Sequence, residues 1–249
     1  MQEHFEYVLR IGDNALIHGQ RLSEWCGHAP ALEEDLALAN IALDLTGQAR
    51  LLLTHAGRLE NKGRDEDQLA FLRDEGEYRN VTLVELPNGD FAQTILRLFL
   101  FAAFQNELWQ AMQASKDDSL AAIAEKSLKE SRYHLRHSTD WLVRLGDGTE
   151  ESHARAQAAL DALWPYTAEF FSADPTDEAV AAAGVTVAWS VLEPRWQAAV
   201  LPVLREATLP IPERSAFRSS GRFGRHSEHM GYLLAEMQYM QRAYPGAQW

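Results

Sequence analysis

The residues most able to do chemistry are a sparse set of acids and histidines on what read as long helices. Glu130-Ser131-Arg132-Tyr133-His134 and Asp44-Leu45-Thr46-Gly47 each offer a carboxylate. Positions i and i+3 share a helix face, so a Glu-x-x-His pair on each of two helices, with one Glu on each of two others, can hold two iron ions between them. The carboxylates bridge the metals and the imidazoles complete the coordination. Here Gly47 stands where one histidine would be, Tyr133 stands where the other would be, and His134 comes one residue late. Asn106 and Glu107 are the offer of a further helix, and Asp13 and Asn14 of another. The one literal match, Glu150-Glu151-Ser152-His153, follows Gly148 at a predicted helix start, a position that favours acidic residues for electrostatic reasons alone.

Two readings follow. In the first, Asp44, Glu107 and Glu130 belong to a hydrogen-bonded and ion-paired network with Gln48, Arg50, Arg132 and His134, because a carboxylate buried without metal needs donors or cations. In the second, Asp44, Glu107, Glu130 and His134 are irregular ligands of an autonomous di-iron oxygenase. His226-Ser227-Glu228-His229 supplies two imidazoles at i, i+3, which read as solvated residues around a helix start rather than as a complete metal site. Cys26 stands alone, which excludes an internal disulfide and a cysteine-rich zinc site, and it lacks an activated setting.

Two segments read as recognition surfaces. Arg214, Arg218, Arg222 and Arg225 are interleaved with Phe217 and Phe223, a basic-aromatic loop suited to an acidic partner or a phosphate-bearing ligand. Arg73-Asp74-Glu75-Gly76-Glu77-Tyr78-Arg79-Asn80 lies in a long connection, where ordered segments often carry function.

The elements that must position these residues are helical. Every proline and glycine falls outside residues 90–145, and strand-type alternation is scarce, whereas 3–4 spacing recurs. The breaker-free block is too long for one ordinary helix and divides at Ser115-Lys116-Asp117-Asp118-Ser119 into a hairpin. Residues 31–59 form another long helix: Leu38, Leu45, Leu52 and Leu59 repeat every seven residues, with Ile41, Gln48 and His55 three further on. Residues 3–26 form a first helix, and further helices are expected near 149–173, 188–209 and 227–243, with Pro194 and Pro202 interrupting or bending the middle one. The expectation is a single all-α domain over residues 1–249.

Composition narrows the partners. The 249 residues carry 23 basic and 36 acidic side chains, a formal charge of −13, which disfavours nucleic acid and anionic membranes. No secretory signal opens the sequence, and no uninterrupted apolar run approaches the ~18 residues of a membrane span. A reducing, cytoplasmic setting is expected.

In order along nearly the whole chain, the residues resemble the non-catalytic, ferritin-like (PaaC-type) subunits of ring 1,2-phenylacetyl-CoA epoxidase complexes. The resemblance is carried by Arg10-Ile11-Gly12-Asp13-Asn14, by Glu24 to Pro30 and by Asp35 to Leu45 with Gly47-Gln48-Ala49-Arg50. Arg73-Asp74-Glu75, Pro87-Asn88-Gly89, Lys129-Glu130, Arg132 to Arg136, Glu206-Ala207-Thr208-Leu209, Leu234 to Tyr239 and the terminal Gln248-Trp249 continue it. It implies a ferritin-like four-helix bundle with additional C-terminal helices. It also implies a division of labour. A homologous partner holds the di-iron centre and epoxidises phenylacetyl-CoA with oxygen, and an iron–sulfur flavoprotein reductase brings electrons from NADPH. The subunit like this one holds no cofactor and supports its catalytic partner. By the same resemblance Glu77, Tyr78, Arg79 and Asn80, and Glu178, Ala179 and Val180, are expected to contact the acyl-CoA.

Overall fold

A computed structural model describes residues 2–213 and 215–247. Among these the secondary structure is helical, apart from one isolated antiparallel bridge between Ser220 and Arg225. In chain order the helices are α1 (Gln2–Ser23), α2 (Leu32–Glu60), α3 (Glu66–Phe71), α4 (Phe91–Met112) and α5 (Asp118–Gly146). They continue with α6 (Glu150–Leu163), α7 (Pro175–Ala182), α8 (Glu193–Glu206), α9 (Glu228–Met237) and α10 (Tyr239–Ala243). Two long hairpins, α1 with α2 and α4 with α5, are the arms expected of a ferritin-like helical fold.

The helices form two compact units, Met1–Pro87 with Ser219–Trp249, and Asn88–Arg218. In the first, α1 packs along α2. Leu38, Ile41, Leu45, Gln48 and Leu52 of α2 are fully buried, as the seven-residue spacing requires. Gly12 lets the two helices approach closely, because a Cβ there would lie 3.0 Å from Leu53 Cδ2. The long connection after α2 is ordered: the Asp65 side chain caps α3, and short 3-10 turns cover Glu75–Glu77 and Thr82–Glu85.

In the second unit the expected break at 115–119 is present. Asp117 accepts hydrogen bonds from the Ser119 and Leu120 amides and starts α5, and Asp90 caps α4 through the Gln93 amide. α4 is buried on most faces, and within Ile95–Phe104 Arg97 is its one ionisable side chain, itself buried. Phe104 lies at the centre of an aromatic cluster, 4.8 Å from Phe170 and 4.9 Å from Trp189 between ring centroids. Trp196 of α8 packs on Phe171 and donates its indole N–H to the Leu100 carbonyl at 3.0 Å.

Two segments differ from the sequence expectation. The 149–173 helix changes after Leu163 into a 3-10 stretch, Trp164–Phe171, where Pro165 sits in the first turn. The 188–209 helix starts at Glu193 with Pro194 in its first turn, where a missing N–H costs nothing. Pro202 lies inside α8, which continues past it to Glu206, so of the two outcomes expected, interruption or bending, it does not interrupt the helix.

Candidate functional site

Two segments that the sequence separates by about 140 positions are brought together in the first unit. Residues 73–85 lie against residues 219–229, and both are tied to α1. The anchor is Asp13, fully buried on α1. Its carboxylate accepts from both Arg73 guanidinium nitrogens, from Nη1 at 2.9 Å and from Nη2, and from the Arg79 backbone N–H at 2.8 Å. Burial works against the charge on Arg73, but the Asp13 carboxylate outweighs it and holds the guanidinium firmly ionised. The same guanidinium lies 4.2 Å from the centre of the Tyr78 ring. Asn14, the next residue on α1, accepts from the Val81 N–H at 2.8 Å.

A second anchor centres on Glu85, also fully buried. Its side chain accepts from Asn80 Nδ2 at 2.8 Å, from His226 Nδ1 at 2.7 Å and from the Ser227 N–H at 2.6 Å. His226 Nε2 faces the Tyr78 carbonyl at 3.1 Å. Two acceptors flank the ring, so both nitrogens donate and the imidazolium is the form that fits. Burial opposes that charge, but the hydrogen bond and the field of Glu85 outweigh it, and the Tyr78 carbonyl adds to them, so His226 titrates above the ordinary histidine value of 6.5. A histidine raised on folding stabilises fully below 6.5 and loses that contribution as pH climbs through its folded value. Thermal unfolding measured across neutral to alkaline pH should therefore show stability falling above 6.5, with a shallower slope in His226→Gln. Equal slopes in the two proteins would refute the assignment.

Glycines permit the close approach. A Cβ on Gly221 would sit 2.5 Å from the Asn80 carbonyl oxygen, and one on Gly224 (φ +75°) 2.4 Å from that of Gly76.

This packing sorts the residues expected to meet a ligand. Tyr78 and Asn80 are buried structural members: burial pushes the Tyr78 phenol up, and its hydroxyl bonds the Ala70 carbonyl and accepts from Gln238 at 2.7 Å. Arg73, read from sequence as part of a recognition surface, is likewise internal. Glu77 is exposed, and Arg79 is half-buried with Glu6 at 3.4 Å. Of the arginine loop, Arg222 is buried, Arg218 and Arg225 are exposed, and Arg214 lies outside the described residues, as do Gln248 and Trp249. Arg218 lines a cleft of about 280 Å³ in the second unit, with Trp164, Phe171, Trp196 and Glu193, and donates to the Ser215 and Phe217 carbonyls. Glu178 and Ala179 are exposed on α7, whereas Val180 is buried.

The residues considered as iron ligands fall into a different register from the one their spacing suggests. On α5 the buried polar stripe is Ser127, Ser131, His134 and Ser138. Glu130 and Tyr133 lie off it: Glu130 pairs with Lys126 at 2.9 Å, and Tyr133 is exposed. The inward i, i+3 pair is thus Ser131 with His134, so His134 is in register and the carboxylate is what is missing. On α2 the inward pair is Leu45 with Gln48, while Asp44 and Gly47 are half-buried beside it. Glu107 on α4 is half-buried and interacts with its own-helix neighbours Asn106 and Gln110 rather than with the cations expected from sequence. At the i, i+3 positions considered, α2 buries a leucine and a glutamine and α5 a serine and an imidazole, whereas a carboxylate-bridged di-iron pair needs anionic bridges. The donor set does not fit that centre.

An all-α protein with two long helical hairpins, which buries Leu45 with Gln48 on α2 and Ser131 with His134 on α5, is the class that fold and site define. The chain belongs to the phenylacetic acid catabolic protein family, which it matches over residues 1–249. Across all of this chain and all of the other, it is 51% identical to a subunit of 1,2-phenylacetyl-CoA epoxidase from Escherichia coli (strain K12).

Proposed function

We propose that this chain is the structural, non-catalytic subunit of a multicomponent 1,2-phenylacetyl-CoA epoxidase that acts in aerobic phenylacetate breakdown. The observation that carries the reading is the inward register of α2 and α5, where Leu45, Gln48 and Ser131 stand in place of bridging acids. Full-length identity of 51% to a protein named as a subunit of that epoxidase supports the same reading. The work of such a subunit is binding: its folded surface stabilises a di-iron catalytic partner by mass action and fixes its orientation. The iron belongs to that partner, and the flavin and iron–sulfur cluster to a reductase. All act in the cytoplasm.

Contact with the acyl-CoA falls to the accessible part of the two expected segments, Glu77 and Arg79 on one, and Glu178 and Ala179 on the other. Arg79 is the one cation among them, and a CoA phosphate is its natural ligand.

The test is to purify the chain without chelators, alone and with the other subunits. The chain alone should hold no stoichiometric iron and should not turn over phenylacetyl-CoA with oxygen and reductant, whereas the reconstituted complex should. In that complex Arg79→Ala should raise KM for the CoA ester about tenfold, the loss of one charge-assisted contact, with kcat little changed. Turnover by the lone chain, or an active complex that never needs it, would overturn the assignment.

A further inference from the structure

The cleft that Arg218 lines in the second unit shares no residue with the segments assigned to the acyl-CoA. It encloses about 280 Å³ between the 3-10 stretch Trp164–Phe171, the first turn of α8 and the loop at 215–218. Its walls are aromatic. The Trp164 and Trp196 rings lie 5.6 Å apart at 35°, and Phe171 lies 5.3 Å from Trp196. Trp164 and Phe171 are only half-buried, so this apolar lining stays open to solvent. Phe217 packs edge-on to Tyr166 at 5.0 Å, which ties the loop that carries Arg218 to the same wall.

Two opposite charges, Glu193 and Arg218, line the cleft, and no ion pair joins them. Each is fixed by other groups. Gln197 Nε2 donates to Glu193 Oε1 at 3.0 Å. Arg218 Nη1 donates to the Ser215 carbonyl at 2.8 Å and the Phe217 carbonyl at 2.7 Å, which orients the guanidinium. Its Nε and Nη2 donate to nothing among the described residues. Such an edge meets a carboxylate through two parallel hydrogen bonds. The hydroxyls of Thr167 and Ser172 are already committed, donating to the Trp164 and Ala168 carbonyls at 2.7 Å and 3.1 Å. The charged pair is the polar handle that the cleft offers.

The geometry points to a free aromatic α-amino acid as the ligand of this cleft, with its ring against Trp164 and Phe171, its carboxylate on Arg218 and its ammonium on Glu193. Size, charge and surface each select that class. A space just under the ~300 Å³ where pockets for drug-sized ligands begin holds one ring system with a short polar end, and not a nucleotide. A cation and an anion that line one cleft without pairing match a molecule carrying both signs. An aromatic acid without an amine would set its carboxylate against Glu193, and the formal charge of −13 repels such an anion at longer range as well. Aromatic walls favour a ring over an aliphatic chain, because stacked and edge-on contacts add to buried area.

Calorimetric titration of the full chain with L-phenylalanine should show one saturable site below about 1 mM, and tryptophan emission should change with the same midpoint. L-alanine, which has no ring, should not bind. Hydrocinnamate, which lacks the ammonium, and phenethylamine, which lacks the carboxylate, should each bind about tenfold more weakly than phenylalanine. Arg218→Gln should weaken phenylalanine about tenfold and leave phenethylamine unchanged. Glu193→Gln should weaken phenylalanine and leave hydrocinnamate unchanged or tighter. A merely sticky aromatic surface would not give that crossed pattern. Arg218 is exposed, so its variant keeps the fold and carries the test even where Glu193→Gln loosens the start of α8. The absence of saturable phenylalanine binding overturns the proposal. So does hydrocinnamate binding as tightly as phenylalanine, or an affinity for phenylalanine that Arg218→Gln leaves unchanged.

Discussion

Arg73→Ala should lower the free energy of unfolding by about 3–5 kcal/mol, the cost of leaving one member of a buried ion pair without its partner. Asp13 is then left fully buried with only the Arg79 N–H among the donors named above. The loss spreads beyond the pair. Arg73 also donates to the Leu69 and Glu77 carbonyls, and its own carbonyl accepts from Gln238 and Arg242. The side chain therefore couples α1 to residues 69–77, while the backbone carbonyl, which alanine keeps, holds Gln238 and Arg242. Urea denaturation followed by circular dichroism checks the size of the effect. Hydrogen exchange checks its location, and amides of residues 74–81 should lose protection first. Replacing both partners by apolar residues of similar volume, Asp13→Leu with Arg73→Met, should cost clearly less than Arg73→Ala, because no charge is stranded. If Arg73→Ala melts within about 0.5 kcal/mol of the parent, the range of an ordinary surface substitution, the pair does not hold this segment.

Phe104→Ala should cost a similar amount, about 3–5 kcal/mol, by a different mechanism: it removes the central ring of a packed cluster and leaves a cavity. Phe104 is fully buried, stacked on Phe170 and edge-on to Trp189 and Phe171. The rings around it gain both area and orientation energy from its presence. Near-ultraviolet dichroism and tryptophan emission should report loosening around Trp189 along with the fall in stability. Phe104→Leu should recover more than half of it, since leucine refills most of the volume. Recovery by neither volume nor aromaticity would mean that α4 is held chiefly by something other than this cluster.

The two substitutions test different things. Arg73 and Asp13 place a segment that carries Glu77 and Arg79, so a mild variant such as Arg73→Lys should affect ligand contacts in the assembled enzyme before it affects the fold. Phe104 supports the second unit's core, and its variants should affect stability alone.

How far each feature could be read from the sequence follows from the range of the forces behind it. The hairpins, the break at Asp117 and the α2 seam depend on breakers, caps and seven-residue spacing, all local, and they lie within a few residues of where the sequence puts them. The register of α5 was harder. Glu130 and Tyr133 match the i, i+3 template letter by letter, yet Ser127, Ser131, His134 and Ser138 share the buried stripe. Serine is nearly silent in a pattern read from hydrophobicity, so the three serines that define this face gave no signal, and the conspicuous acid beside them did. The spacing from Ser127 to Ser138, four, three and four, could have revealed it. Arg73 and Tyr78 misled in the opposite sense: polar side chains in a long connection suggest a surface, and only the non-local acceptors Asp13 and Ala70 bring them inside.

By itself, then, the sequence determined an all-α chain, the ends of its long helices, and the absence of paired Glu-x-x-His ligands, because these are written in neighbouring residues. Tertiary structure decided which side chains face inward on α5, which of residues 73–80 remain accessible, and that residues 219–229 close over them. Those outcomes rest on hydrogen bonds and ion pairs between positions 60 to 170 residues apart, such as Arg73 with Asp13 and with Gln238, and His226 with Glu85. No local spacing encodes which distant acceptor a buried donor will find, because the partner is set by packing once the helices have formed.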